Sequence, residues 1–498
     1  MMQGCKATVF DLERAWDGAK LKAVAAEAGY TDKALAKTLA ITCPHEQQDI
    51  EVVFRRVRIN NPYNILVRLF RLGRAVPQSE LQKILPGLDL ETLTAVGLLQ
   101  HGDGQIRSTV KLTPFYDLLL ASDFEPPARR EMPADHVLGV GAASVTLAGL
   151  TVRRPVETAL DLGAGAGIQA FLAARHSQRV LGTDTNERAL NFARFNARLN
   201  DIEGLEWRQG SLYEPADKQR FDLIVSNPPY VISPESRFVF RDAHLPGDQI
   251  SEQVIRGTGR YLNEGGFACI LFNWHHRSED DWATRPLSWV GESSCDSWLL
   301  RFSCEEPLAY AAEWLGDYEG KDSPDYGRHL DEWMSYYQDM RIERISAGAI
   351  IMRRRKGQRN WSRFDAIETA RGIGSSSDQI ERIFAIEDLL ETLAEERELL
   401  DFRFHFDEHH RLEHRLTVED GRWVVCEEHL HASEGIPFAG KVDMYIAQLL
   451  AGCDGRRSLR ELIAEGAQRA GTDPETMIPA FLKVIRKLMR SGFLRLVK

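Results

Sequence analysis

Asn227-Pro228-Pro229-Tyr230 follows an apolar run, Phe221-Asp222-Leu223-Ile224-Val225-Ser226. Proline locks its own φ, removes a donor and pushes the preceding residue into extended backbone. The four residues therefore read as a rigid turn at a strand end, one that fixes an amide side chain, a free carbonyl and an aromatic ring relative to each other. The side-chain oxygen of Asn227 and the carbonyl of Pro228 can accept from a planar NH2 group, Pro229 stiffens the turn, and Tyr230 can stack on the face of that group. An amide nitrogen is a poor nucleophile because its lone pair is delocalised. The chemistry open to such a turn is positioning and electrostatic preorganisation for transfer onto nitrogen, with no strong base required.

A second constellation lies upstream. The run Val156 to Leu162 ends in Asp161-Leu162-Gly163-Ala164-Gly165-Ala166-Gly167, and a helical stretch starts at Ile168. Glycines there let the backbone turn sharply and a ligand approach closely. Asp184 ends the next apolar run, 23 residues after Asp161, near the spacing at which a carboxylate grips ribose hydroxyls. Thr185 or Asn186 can cap the helix that follows. Dinucleotide sites share a Gly-rich turn, but the acid before the first glycine repels a phosphate and welcomes an ammonium group. S-adenosylmethionine has an amino-acid end, a ribose and an adenine without phosphates, and is the cofactor these residues fit; NAD(P) is the alternative. The similar string Asn60-Asn61-Pro62-Tyr63 follows no Gly-rich unit and reads as a turn.

The elements that must position these groups alternate between strand and helix from about 136 to 355, the pattern of a doubly wound α/β sheet. Strands are expected at 156–162, 179–183, 205–209, 221–226, 266–272, 297–302 and 342–352. The fold class is thus α/β, with a seven-stranded Rossmann-like core. A polar insertion rich in Tyr and Asp, 306–340, can hold a substrate-binding helix. The string Gly139-Val140-Gly141-Ala142-Ala143-Ser144 either closes over the cofactor or substrate or is a plain loop before a helix. Trp274-His275-His276 reads as an aromatic wall at the pocket mouth. Around the core, residues 1–130 read as an N-terminal helical, winged-helix-like domain, 131–357 as the catalytic domain and 358–378 as a linker. Residues 379–498 read as an α+β domain ending in a second winged-helix-like unit.

A net charge of −11 argues against a protein that coats nucleic acid. Local basic groups remain: Arg55, Arg56, Arg58, Arg68, Arg71 and Arg74; Arg353, Arg354, Arg355, Lys356 and Arg359; and residues 441–498, with 11 Lys and Arg against 6 Asp and Glu. Each is either a solvated face or a docking surface. No apolar run approaches bilayer-spanning length, no signal-peptide core opens the chain, and seven cysteines without a C-x-x-C pair suggest free thiols in a reducing compartment. A cytoplasmic location is expected. His405, His409, His410, His414, His429 and His431 crowd near Cys426, but their spacing fits no standard zinc pattern, and no metal is expected.

Residues 156–274 resemble class I S-adenosylmethionine-dependent methyltransferases of the NPPY-bearing branch. The matching strings are DLGAGAG, GTDTNERAL, GSLYEP, FDLIVSNPPYV and RYLNEGGFACIL. They are most similar to the HemK/PrmC release-factor glutamine methyltransferases and to the small-domain rRNA guanine and adenine N-methyltransferases. The resemblance implies a cofactor-binding set of Asp161, Gly163, Ala164, Gly165, Gly167, Asp184, Thr185, Ser211, Leu212 and Asn227. Within it, Asp161, Gly163 and Gly165 lie near the methionine moiety, Asp184 on the ribose, and Ser211 and Leu212 beside the adenine. Many relatives have Asp at the position of Ser211, which accepts more weakly. Asn227, Pro228, Pro229 and Tyr230 form the catalytic turn.

The expected activity is N-methylation of a planar amide or amino nitrogen. A glutamine side chain of a protein, of the translation-factor kind, is the first acceptor, and an exocyclic amine of adenine or guanine in RNA or DNA is the alternative. A small-molecule amine and a degenerate binding protein are further options. Acidic net charge favours the protein acceptor; the winged-helix-like flanks and basic groups favour nucleic acid.

Overall fold

The cleft-forming sheet begins with Val156–Leu162 (β1), whose last four residues are buried as a central parallel strand requires. The computed structural model describes residues 9–39, 50–126, 132–242, 245–291, 293–355, 359–367 and 372–497. Helix α1 (Ala142–Leu150) precedes β1. Next come α2 (Ile168–Ala174), β2 (Ser177–Asp184), α3 (Glu187–Leu199), β3 (Leu205–Gln209), β4 (Phe221–Ser226), α4 (Gln249–Tyr261) and β5 (Leu262–His276). The chain continues through α5 (Thr284–Val290), β6 (Cys295–Glu305), α6 (Pro307–Tyr318), α7 (Tyr326–Asp339), β7 (Arg344–Arg354) and β8 (Ser362–Ala366).

The strand order is β8-β6-β7-β5-β4-β1-β2-β3. Strands β1 to β5 pair in parallel, whereas β7 runs antiparallel to both β5 and β6. After β3 the chain crosses back to place β4 on the other side of β1. That reversal leaves a crevice beyond the carboxyl ends of β1 and β4, where ligands bind in open α/β sheets. Leu162 pairs with Ser226 across these strands, so the glycine turn and the Asn-Pro-Pro-Tyr turn leave the sheet side by side.

The sheet has eight strands where seven were expected. The additional strand, β8, lies in the segment expected to be a linker, 358–378. Its alternation of half-buried Arg363 and Asp365 with exposed residues suits a sheet edge. Strand β5 also runs past Phe272 to His276, paired with β7 as far as Arg344. The expected domain boundaries at 130/131 and 357/358 lie outside the described residues.

Two compact units emerge, one of 1–147 and 155–365, the other of 148–154 and 366–498. The first holds N-terminal helices, the hairpin Leu99–Gly102/Gln105–Ser108 and the pair Lys111–Phe115/Leu118–Ser122; the segment at Val9 and Phe10 and the strand Leu118–Ser122 meet α3 through three asparagines. Asn191 accepts from Val9 and Phe10 N–H at 3.0 Å each. Asn196 and Asn200 accept from Ala121 N–H at 2.7 Å and Leu119 N–H at 2.9 Å, and each also donates to the same residue's carbonyl. Phe10 stacks on Phe195 at 3.7 Å between ring centroids. These backbone groups are buried, and the asparagines satisfy them.

The second unit holds helices Ser377–Thr392, Met444–Ala451, Leu459–Ala470 and Pro474–Arg490, and a long hairpin, His410–Glu419/Arg422–Ala432. Its core includes Leu399, Phe404, Leu450, Ile485 and Met489. Residues 148–154 join it by hydrogen bonds: Ser376 N–H donates to the Gly149 carbonyl and Arg153 N–H to Ser377 Oγ, both at 2.8 Å.

Candidate functional site

A cavity of about 1020 Å³ opens beyond the carboxyl ends of β1, β2 and β4. Asp161, Gly163, Ala164, Gly165, Asp184, Thr185, Ser211, Leu212, Asn227, Pro228 and Pro229 all line it. The sequence-expected residues are thus brought together, with two exceptions. Gly167 has φ +90° at the start of α2 and packs among side chains: a Cβ there would meet Phe171 Cζ at 2.6 Å and Trp207 at 2.9 Å. Tyr230 is half-buried outside the lining; burial and nearby Tyr318 push its phenol up to about 12, so it stays neutral.

The glycine turn is shaped to leave room. Gly163 and Gly165 have φ +77° and +54°, and a Cβ at either would meet nothing within 4 Å. Left-handed backbone over open space is what a ligand-cradling turn needs. Asp161, 2 % exposed, accepts from Ala170 N–H at 2.8 Å. Burial first, then the Asp184 charge, raise its pKa to about 7. Asp184 accepts from Gly165 and Asn186 N–H at 2.8 Å each, while burial raises its pKa. A buried acid that is costly to ionise and open space over the glycines fit a cofactor with a cationic head. Leu212 holds φ +50°, a left-handed conformation that is strained for a leucine.

Asn227 leaves β4 with its Oδ1 buried and, among the described residues, without a hydrogen-bond partner. Buried side-chain oxygens are normally satisfied, so this acceptor is held ready for a donor. The loop beyond the turn is held by the insertion. Ile232 N–H donates to Tyr310 Oη at 3.2 Å, and Tyr337 Oη donates to the Ile232 carbonyl at 2.8 Å. Trp333 Nε1 donates to Glu235 Oε1 at 2.9 Å. Buried Asp242 accepts from Arg237 and Phe238 N–H at 2.9 Å each and from Arg241 Nε at 2.8 Å.

Most of residues 135–144 also line the cavity. Gly139, Gly141, Ala142, Ala143 and Ser144 face it, and Gln169 ties Ser144 to α2 at 2.9 Å. Val239 N–H donates to the Ala134 carbonyl at 3.1 Å and Asn186 Nδ2 to the Asp135 carbonyl at 3.0 Å. His136, missed at the sequence level, is buried in the lining. Its Nδ1 lies 3.7 Å from Asp123 Oδ2, its Nε2 has no hydrogen-bond partner among the described residues, and burial lowers its pKa. The Asp135-His136 pair just ahead of Gly139 was the available signal.

Trp274, His275 and His276 do not reach the lining. Trp274 is buried and donates to the Trp282 carbonyl at 2.7 Å, His275 sits 3.6 Å from Asp248, and His276 bonds Ser346 Oγ at 2.9 Å. Extension of β5 draws all three into the sheet. Among the described residues, no group of three or more His, Cys, Asp or Glu is arranged to hold a metal ion, and no helix is long and apolar enough to cross a membrane.

Residues 141–283 match the family model described as methyltransferase small domain. Residues 27–109 and 381–496 match two domains of unknown function, DUF7059 and DUF7782. The release factor glutamine methyltransferase of Aliivibrio fischeri is 42 % identical over 127 residues, 25 % of this chain and 41 % of that protein. The ribosomal protein uL3 glutamine methyltransferase of Bradyrhizobium diazoefficiens is 30 % identical over 149 residues, 27 % of this chain and 47 % of that one. The ribosomal RNA small subunit methyltransferase C of Escherichia coli is 34 % identical over 116 residues, 23 % and 30 % of the two chains. The chain spans less than half the length of these relatives.

Proposed function

We propose that this class I methyltransferase uses S-adenosylmethionine to methylate a planar amide nitrogen, the side chain of a glutamine in a protein. The observation that carries the reading is Asn227 Oδ1, a buried acceptor without a partner among the described residues, at the end of the strand next to the glycine turn. When bound, S-adenosylmethionine supplies an electrophilic methyl group. Asp161, Gly163, Ala164 and Gly165 would hold its amino-acid end, Asp184 and Thr185 its ribose, and Ser211 and Leu212 its adenine. Asn227 Oδ1 and the Pro228 carbonyl accept from the two N–H bonds of the acceptor. This polarises the NH2 group and aims its lone pair into the cavity. The neutral Tyr230 phenol offers a ring face. The extra proton leaves after transfer, so no base has to act in the slow step.

An exocyclic amine of adenine or guanine presents the same NH2 geometry, and the resemblance to an RNA methyltransferase keeps that acceptor as the second reading. The basic groups that favoured it are largely committed within the fold. Arg55 and Arg74 meet Glu51, Arg68 meets Glu80, Arg353 and Arg355 meet buried Asp296, and Arg490 meets Glu387. Paired arginines contribute little to counterion release from a phosphate backbone.

Transfer of labelled methyl groups into a cell lysate separates the acceptors. The label is expected to survive ribonuclease and to be lost on protease treatment. Loss to ribonuclease alone would overturn the protein reading.

A further inference from the structure

Helix α6 presents two rows at helical spacing. Tyr310, Trp314 and Tyr318 stand four residues apart on one, with Glu313 and Asp317 on the adjoining one. Ring centroids are 6.1 Å apart from Tyr310 to Trp314, 6.0 Å from Trp314 to Tyr318, and 6.2 Å from Tyr318 to Phe240. Phe240 lines the cavity, and Tyr230 lies close enough to Tyr318 and Tyr310 to interact with both electrostatically. A line of rings therefore leads from the Asn-Pro-Pro-Tyr turn along α6. Tyr310 is buried, Trp314, Tyr318 and Phe240 are half-buried, and Leu308 on the same helix is 45 % exposed.

The charge beside this wall is mostly negative. Residues 305–325 contain Glu305, Glu306, Glu313, Asp317, Glu319, Asp322 and Asp325 against a single base, Lys321. Glu319 pairs with His329 and Asp325 with Arg328. Glu305, at the end of β6, and Glu313, one turn before Asp317, face each other, and burial together with this like charge raises the pKa of Glu305. Neither meets a cation among the described residues. The arginine that lies on the wall is already committed: buried Arg241 stands over the Phe238 and Tyr318 rings and pairs with Glu235 and Asp242. Two adjacent carboxylates without a cation favour the arrival of one.

We propose that this wall receives the polypeptide segment flanking the methylated residue, and that the segment it fits is basic. Lysine or arginine stems would lie on Trp314 and Tyr318, with their charged ends on Glu305 and Glu313. A nucleic acid fits worse, because the same carboxylates repel its phosphates. The proposal rests on the amide reading of the site and adds which proteins can be acceptors.

Fluorescence anisotropy of the full chain tests it with four labelled probes. Three are short glutamine peptides flanked by lysine and arginine, by serine, or by glutamate; the fourth is a short RNA hairpin. The basic peptide should bind most tightly, weaken with added salt, and lose about three- to tenfold in affinity on the double substitution Glu305→Gln, Glu313→Gln. The serine peptide should be indifferent to that double variant. Equal affinity for all three peptides, tightest binding of the RNA, or an unchanged basic peptide with the double variant would each overturn the proposal. Binding is read without methyl transfer, so such a failure leaves the amide reading standing. Absence of label in any polypeptide in the lysate experiment would remove both.

Discussion

Asn61-Pro62-Tyr63 and Asn227-Pro228-Pro229-Tyr230 are nearly the same string with opposite fates. Asn61 caps the helix Pro62–Leu66: its Oδ1 accepts from Asn64 N–H at 2.8 Å, and Pro62 occupies the first turn, where its missing N–H costs nothing. Tyr63 donates to the Ala34 carbonyl at 2.9 Å. The asparagine oxygen and the tyrosine hydroxyl there are both spent on the fold. The second proline at 229 disfavours helical backbone at 228, so Asn227 cannot become a cap. It stays at a strand end with its oxygen buried and unused. One inserted proline separates a structural asparagine from an available one.

The largest expected effect tests the available oxygen. Asn227→Ala should lower kcat about 10²- to 10³-fold, the range for losing one preorganised hydrogen-bonding group. Cofactor affinity should change far less than kcat, since Asp161, Asp184 and the glycine turn are untouched, and Tm should hold or rise because an unsatisfied buried oxygen is removed. A drop in Tm with activity intact would mean that Asn227 is spent on the fold as Asn61 is.

Asp161, on the neighbouring strand, extends the contrast to charge. Its folded-state pKa is raised to about 7 from an ordinary 3.8. The native state therefore holds the proton more tightly than the unfolded chain between about pH 4 and pH 7. Without cofactor, stability should fall as pH rises across that window, by on the order of 4 kcal/mol at most, and level off above it. Urea denaturation at a series of pH values should show the slope, and Asp161→Asn should remove it.

Tyr310→Phe reaches the acceptor loop indirectly. It strips the acceptor from Ile232 N–H and Asn273 Nδ2, costing about 1–3 kcal/mol in denaturant titrations. The loosened loop should lower kcat about tenfold with cofactor binding unchanged. Smallest of the set, Asn61→Ala should cost about 1 kcal/mol of stability and leave methyl transfer at the wild-type rate. A loss of transfer there would erase the distinction between the two strings.

The glycine-turn end of the cleft was legible because its information is local. Gly163 and Gly165 carry the left-handed backbone of one short turn, and Asp184 needs only the end of one strand. The end beside the Asn-Pro-Pro-Tyr turn is assembled from afar: Ile232 and Glu235 are fixed by Tyr310, Trp333 and Tyr337, 78 to 105 residues downstream. Nothing near Ile232 in the sequence announces those partners. His136 was hidden for the same reason, since its burial depends on Asp123 and Phe240 from separate segments. Strand β8 was unreadable because edge strands tolerate charge, so Arg363 and Asp365 look like linker residues. Trp274-His275-His276 misled because pairing with β7 prolongs β5 beyond its apolar run.

The bonds from residues 148–154 to Ser376 and Ser377 set a clock on synthesis. Arg153 must find Ser377, 224 residues later in the chain. At roughly 5–20 residues per second, the ribosome delivers that partner some 10–45 s after Arg153 itself. The end of α1 thus emerges, and the strands after it are made, well before the unit that claims it exists. A nascent chain stalled short of residue 377 should leave this segment open to proteases and chaperones, and release past that point should close it.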